Sequence, residues 1–198
     1  DLAATYRQIS GDFSFEVMAT FTTMNNEIVK IAEGIEFFDA VQSGGDRIGP
    51  TSRNEVGYPV GSFYGYNFLG FFDSQGDVDS HATQPGAEPG FLKYDDTDGS
   101  GTIDADDRVH IGNPNPDFTY SLNLNIGYKG FDLVAFFFGS QGNDILNQNR
   151  WWLDFWPSFI GQKNVGMLND SWTPSNTDAA FPKASNKANF STSQQYST

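Results

Sequence analysis

Cysteine is absent from the 198 residues. That excludes thiol nucleophiles, disulfide staples and cysteine–zinc sites, and leaves the compartment open. Basic residues are scarce, 11 Lys and Arg against 25 Asp and Glu, for a formal charge of −14. Phosphate recognition needs a basic stripe and none is visible, so nucleic acid is not an expected partner. His81 and His110 are the two histidines, and neither stands in a nucleophile or zinc-ligand motif. Phosphate-cradling glycine motifs are also missing, and the expectation is that the chain is not an enzyme. No apolar run approaches the ~20 residues of a membrane helix. Strands that cross a bilayer by alternation are not excluded by this. The chain opens at Asp1-Leu2-Ala3-Ala4 with no basic stretch leading into an apolar core, and it is read as a mature form or an internal piece. No internal repeat is visible.

Aromatics and glycine are plentiful, with 19 Phe, 8 Tyr, 4 Trp and 21 Gly, a composition suited to an all-β chain with many turns. Two stretches alternate with a period of two. In residues 11–24, Phe13, Phe15, Val17, Ala19 and Phe21 fall on one face and Ser14, Glu16, Thr20 and Thr22 on the other, with Met18 the exception. In residues 118–128, Phe118, Tyr120, Leu122, Leu124, Ile126 and Tyr128 share one side without interruption. Lys129-Gly130 is a tight-turn pair, and residues 131–139 return with apolar residues on both faces, so 118–139 reads as a β-hairpin. Residues 27–31 are a candidate resumption of the first strand, 33–62 are irregular, and 73–90 read as a loop.

The stretch Asp96-Thr97-Asp98-Gly99-Ser100-Gly101-Thr102-Ile103-Asp104-Ala105-Asp106-Asp107 fills the slots of a twelve-residue calcium loop. Asp96, Asp98 and Ser100 stand at positions one, three and five, and Gly101 takes the sharp turn at six. Thr102 offers its carbonyl at seven, Asp104 acts at nine, and Asp107 closes the loop. Ca²⁺ is a hard cation that gathers oxygen ligands, which explains the residue types. Asp107 replaces the usual Glu, and the flanks read as extended or turn-rich, so a loop without the two EF-hand helices is expected. The competing reading is an acidic surface turn with no metal. A structural Ca²⁺ here would bind in the range of extracellular modules, on the order of 10⁻⁴–10⁻³ M.

The alternating hairpin has two explanations. A soluble sandwich would bury its apolar face in a core. A transmembrane barrel would turn that face to lipid and the polar face to a lumen. The length of 118–128 matches the about 9–11 residues of a tilted spanning strand, and its apolar face is aromatic at both ends and aliphatic between. Short turns are periplasmic in such barrels. That orientation makes 25–117 an extracellular excursion carrying the calcium-type loop 96–107, and 141–198 an extracellular loop.

Several motifs occur together: Gly57-Tyr58-Pro59-Val60-Gly61-Ser62-Phe63-Tyr64-Gly65-Tyr66, Lys93-Tyr94-Asp95-Asp96, Gly112-Asn113-Pro114-Asn115-Pro116-Asp117-Phe118, Gly139-Ser140-Gln141-Gly142-Asn143 and Trp172-Thr173-Pro174-Ser175-Asn176-Thr177. In these, from residue 11 to about residue 182, the chain resembles the SusC/RagA family of TonB-dependent outer-membrane transporters. The resemblance implies that residues 1–198 are part of a large antiparallel transmembrane β-barrel, 22-stranded in the family, with long extracellular loops. It implies import of oligosaccharide or peptide across the Gram-negative outer membrane, a SusD-like lipoprotein lid, and a TonB complex acting through a plug. No plug or TonB box is recognised in the sequence, which is therefore read as an interior piece of the barrel.

The aromatic cluster Trp151, Trp152 and Trp156 is a candidate substrate-stacking patch. Interfacial belt or loop packing is the favoured alternative. Two further function classes stand beside the transporter: a soluble extracellular calcium-dependent carbohydrate-binding β domain, and a secreted glycoside-active enzyme. The latter needs two carboxylates across a cleft, which spacing does not reveal.

Overall fold

A computed structural model describes residues 1–40, 49–155 and 162–193. The elements, in chain order, are β1 (Leu2–Ser10), β2 (Phe13–Thr23), β3 (Phe37–Asp39), β4 (Arg53–Glu55), β5 (Phe63–Gly65), β6 (Phe68–Phe71), α1 (Gln75–Ser80), β7 (Leu92–Tyr94), β8 (Val109–Gly112), β9 (Phe118–Tyr128), β10 (Phe131–Gln141), α2 (Gln148–Arg150), α3 (Val165–Asp170) and α4 (Phe190–Ser193). A short 3₁₀ turn, Ala105–Asp107, precedes β8, and a wide helical turn, Trp151–Phe155, continues α2. The chain divides into two compact units. No described helix is long and apolar enough to cross a membrane.

The first unit, residues 1–36, 55–60 and 113–144, is built on one antiparallel sheet in the order β1-β2-β9-β10. Residues 24–117 separate β2 from β9 in the chain, yet the two strands pair along their full length, from Phe13 opposite Tyr128 to Thr23 opposite Phe118. Backbone bonds from Met24 N to the Asp117 carbonyl and from Asp117 N to the Gln141 carbonyl, 3.0 and 2.9 Å, extend the ladder by one step. The β9–β10 turn has positive φ at both central residues, 47° at Lys129 and 83° at Gly130. That is the twist a two-residue hairpin needs, and Gly130 supplies it without a Cβ penalty.

Register decides which side chains share a face. Phe15 lies opposite Ile126, which lies opposite Leu133. Val17, Leu124 and Ala135 form the next row, with Tyr6 of β1 alongside Val17. The row at the turn end is Phe13, Tyr128 and Phe131, and the row near the far end is Leu2, Phe21 and Tyr120. The apolar sides of the strands thus merge into one continuous face. The opposite face carries Arg7, Glu16 and Asn125 in one row and Thr20 and Ser121 in another, with their hydroxyls 2.6 Å apart. On β10 the polar face breaks down, since Val134, Phe136 and Phe138 stand there well exposed.

The structure adds β1, whose single-face apolar pattern fades at Gln8 and Ser10 and is too weak to read locally. Residues 27–31 do not resume a strand. Ile28 exchanges single backbone bonds with Gly57 and Tyr58 instead, each 2.9 Å. The 73–90 stretch holds α1, started by Ser74, whose hydroxyl accepts the Asp77 N–H.

The second unit, residues 37–54, 61–112 and 145–198, holds three two-stranded sheets, β3-β4, β5-β8 and β6-β7. Its core is Tyr66, Leu92, Tyr94 and Ile103, flanked by Phe68, Phe71, Ala82 and Phe190. Tyr66 and Tyr94 lie 5.0 Å apart between ring centres, and Phe190 meets both rings edge-on. Gly90 lies directly beneath the Trp172 indole, with no room for a Cβ.

Candidate metal centre

The calcium-type loop hangs from this core. Strand β7 ends at Tyr94, which is fully buried, and the chain turns out at Asp95. It comes back at Ile103, which is also fully buried. Thr83 pins the return: its N–H donates to the Gly101 carbonyl and its carbonyl accepts the Ile103 N–H, both at 2.9 Å. The loop's two ends are therefore fixed by packing, and the acidic residues ride between them.

Within the loop, one Asp96 oxygen accepts the Ser100 N–H at 3.0 Å and the other the Gly101 N–H at 2.8 Å. Asp98 accepts the same Ser100 N–H at 2.8 Å, and that bond, first among several, holds its carboxyl below the usual value of 3.8. Gly101 sits at φ 82°, the left-handed conformation that the sixth position of the loop demands. Asp107 is fully buried, and its two oxygens accept the Thr97 and Asp104 N–H groups, both at 2.8 Å.

Oxygens of Asp96, Asp98 and Asp107 come within 4.8 Å of one another. Opposite ligands of Ca²⁺ stand about 4.6–5.2 Å apart, twice its usual bond length, so the three oxygens fit within one coordination sphere. All three are hard donors, which suits Ca²⁺ and not a soft metal. The remaining sequence candidates are turned to local bonds. Ser100 Oγ donates to the Thr102 carbonyl at 3.0 Å, and Asp104 accepts the Asp106 N–H at 2.9 Å as the cap of the 3₁₀ turn. The loop also reaches the core electrostatically. Burial, and after it the opposed influences of Arg108 and the Asp107 and Asp104 carboxylates, leaves the Tyr66 phenol pushed up to about 12.

Trp151 and Trp152 meet edge-on at 4.9 Å, with Trp151 buried and Trp152 half-buried. Their contact is packing within the unit. Trp156 lies outside the described residues. His81 reaches the Tyr94 carbonyl at 2.8 Å and stands edge-on to Phe72, while His110 stands edge-on to Tyr64. Both are placed as packing groups.

Two arrangements had no signal in local sequence. Arg53 is stacked between the Phe37 and Tyr64 rings, at 3.7 and 3.8 Å from their centres, and its guanidinium grips Asp39 with two bonds. Arg108 also stands over the Tyr64 ring, 4.8 Å from its centre. The other is Asp154, a buried carboxylate in the wide turn after α2. The Arg53 partners follow no helical or strand period, and of the groups around Asp154 only Arg150, four residues before it, stands at a helical spacing.

No family model matches the chain. The chain is 34% identical over 173 residues to TonB-dependent receptor P3 of Formosa agariphila, covering 87% of this chain and 17% of that protein. It is 28% identical over 129 residues to TonB-dependent receptor SusC of Bacteroides thetaiotaomicron, covering 63% of this chain and 12% of SusC. A solved structure titled as the RagAB peptide importer in the 'open-open' state superposes with a TM-score of 0.62 over 96% of this chain and 19% of that one, at 21% identity. This chain is a SusC/RagA-like stretch of a TonB-dependent receptor. The RagAB likeness speaks for the fold, and the curated receptors carry the family. The SusC/RagA-like chain spans about 17% of the length of receptor P3. Its relatives are named as receptors and not as enzymes.

Proposed function

We propose that this chain forms part of the wall and exterior of a TonB-dependent outer-membrane importer of glycans or peptides. The β1-β2-β9-β10 sheet is a section of a large, 22-stranded barrel, its apolar face to lipid and its polar face to the lumen. The second unit is an extracellular assembly, on the side where a SusD-like lipoprotein closes as a lid. Energy reaches the barrel from the TonB complex through a plug.

One observation carries this reading: the apolar face continues in register along β2, β9 and β10, and onto β1 at Leu2, Ala4 and Tyr6, while none of its side chains is buried. Leu133 and Phe137 are 58% and 59% exposed, where a sandwich core would cover them. Strands of 11 residues run about 37 Å and, tilted near 45°, cross the roughly 25 Å apolar band of an outer membrane. The aromatic rows Phe13–Tyr128–Phe131 and Phe21–Tyr120 suit the two interfaces. The carbohydrate-binding domain and the glycoside-active enzyme have no comparable observation in their favour.

The test uses the absence of cysteine from this stretch, with any cysteine elsewhere in the receptor replaced by serine. Leu122→Cys and Asn123→Cys, neighbours on opposite faces, are each labelled with an environment-sensitive fluorophore in the whole receptor reconstituted in lipid. The label at position 122 is quenched by brominated acyl chains and the label at 123 by an aqueous quencher. Equal behaviour, or the reverse pattern, overturns the barrel.

The same importer carries a structural Ca²⁺ at Asp96, Asp98 and Asp107, with Ser100, the Thr102 carbonyl and Asp104 completing the shell. The three converging carboxylates and the turn at Gly101 support this ion. Its role is to hold the loop against the Tyr66–Tyr94 core.

A further inference from the structure

The second unit contains an ionised-or-neutral choice that neither the barrel nor the calcium loop uses. Asp154 is 4% exposed. Its Oδ2 lies 3.7 Å from Arg150 Nε, a loose ion pair, and among the described residues its Oδ1 has no hydrogen-bond partner. A carboxylate buried this deeply ordinarily collects two or three donors, because leaving a charged oxygen unpaired is costly. Asp154 also lines a cavity of about 30 Å³ shared with Phe91, Lys163, Lys183, Ser191 and Thr192. That space admits one or two water molecules and nothing larger. A water there can carry a proton to Asp154.

We propose that Asp154 is the sensing group of a pH-dependent clasp joining the Gln148–Phe155 turn to residues 163–170, which tightens as the carboxyl takes up a proton. The two arms already touch: Lys163 Nζ donates to the Trp152 carbonyl at 3.2 Å. Around Asp154 the charged groups are few. Arg150 stands on its own helical turn, Lys163 on the opposing arm, and Lys183 across the cavity, where it is paired with Glu88 at 3.5 Å. From helix α4, Ser191 and Thr192 line the cavity. Burial pushes the Asp154 carboxyl up from 3.8, against the opposing pull of the Asn164 side chain, Arg150 and Lys163. Burial likewise pushes the Lys163 ammonium down.

The sign follows from linkage. A carboxyl whose folded value is raised favours the folded form fully below 3.8, and that advantage is lost as pH rises through the raised folded value. Acid therefore tightens this clasp, the reverse of the usual acid response of a paired carboxylate.

Hydrogen exchange of residues 148–155 and 162–170 tests this in the whole receptor, comparing wild type with Asp154→Asn at each pH so that intrinsic exchange rates cancel. Asn matches the neutral acid in shape. The expected ratio of exchange rates is near one in acid and rises with pH, wild type faster, as the Asp154 carboxyl gives up its proton. Arg150→Gln removes a cation that favours the ionised form, and the wild-type transition then moves to higher pH. A ratio that is flat with pH, or a transition that Arg150→Gln leaves in place, overturns the clasp.

Discussion

The two units solve burial in opposite ways. Among the described residues, every buried side chain falls in the second unit and none in the first. The second unit wraps aromatics around Tyr94 and Ile103 and covers its own core. The sheet unit has the longer and more regular strands, yet both of its faces are open. Its order comes from the backbone ladder and from side-chain rows in register. An apolar face of that size is stable only against something else, and in the proposed barrel that medium is lipid. Regularity and a core are thus separate properties, and this chain keeps them in separate places.

The largest expected effect separates the units. Tyr94→Ala removes a fully buried ring that stacks on Tyr66 and Phe190 and costs about 3–5 kcal/mol. Limited proteolysis should cut the second unit while the sheet stays protected; simultaneous loss of both would mean that they fold as one. The next effect belongs to the sheet. Leu124→Arg, at the centre of the apolar face between Val17 and Ala135, costs about 2–4 kcal/mol in a bilayer. Asn123→Arg on the other face costs little. Urea titration of the receptor in lipid measures both, and equal costs would erase the distinction between the faces. The smallest is calcium. At a free concentration ten times its dissociation constant, Ca²⁺ adds about 1.4 kcal/mol to the second unit alone. Asp96→Ala should abolish the calcium-dependent protection of residues 73–117 against protease. Equal cleavage with calcium and with chelator would remove the ion.

Legibility followed the range of the interactions. The alternation of 118–128 and the Lys129-Gly130 turn could be read because strand periodicity and turn chemistry are local, and β9 has the bounds that its pattern indicates. The loop at 96–107 was legible for the same reason: its ligand spacing is written in consecutive residues. The structure then divides that set, bringing Asp96, Asp98 and Asp107 together while Asp104 caps a helical turn. Arg53 between Phe37 and Tyr64 left no trace, since its partners lie in irregular stretches with no period to betray them. Asp154 looks in sequence like any surface acid.

By itself the amino-acid sequence determined the strand faces, the hairpin turn and the spacing of the acidic loop, because each depends on neighbours within a few residues. Tertiary structure alone decided that β2 pairs with β9 across residues 24–117, that β1 completes the sheet, and that one carboxylate is buried beside a cavity. The reason is that strand pairing and desolvation join residues far apart in the chain. Alternation says which side of a strand is apolar, but not which strand lies beside it.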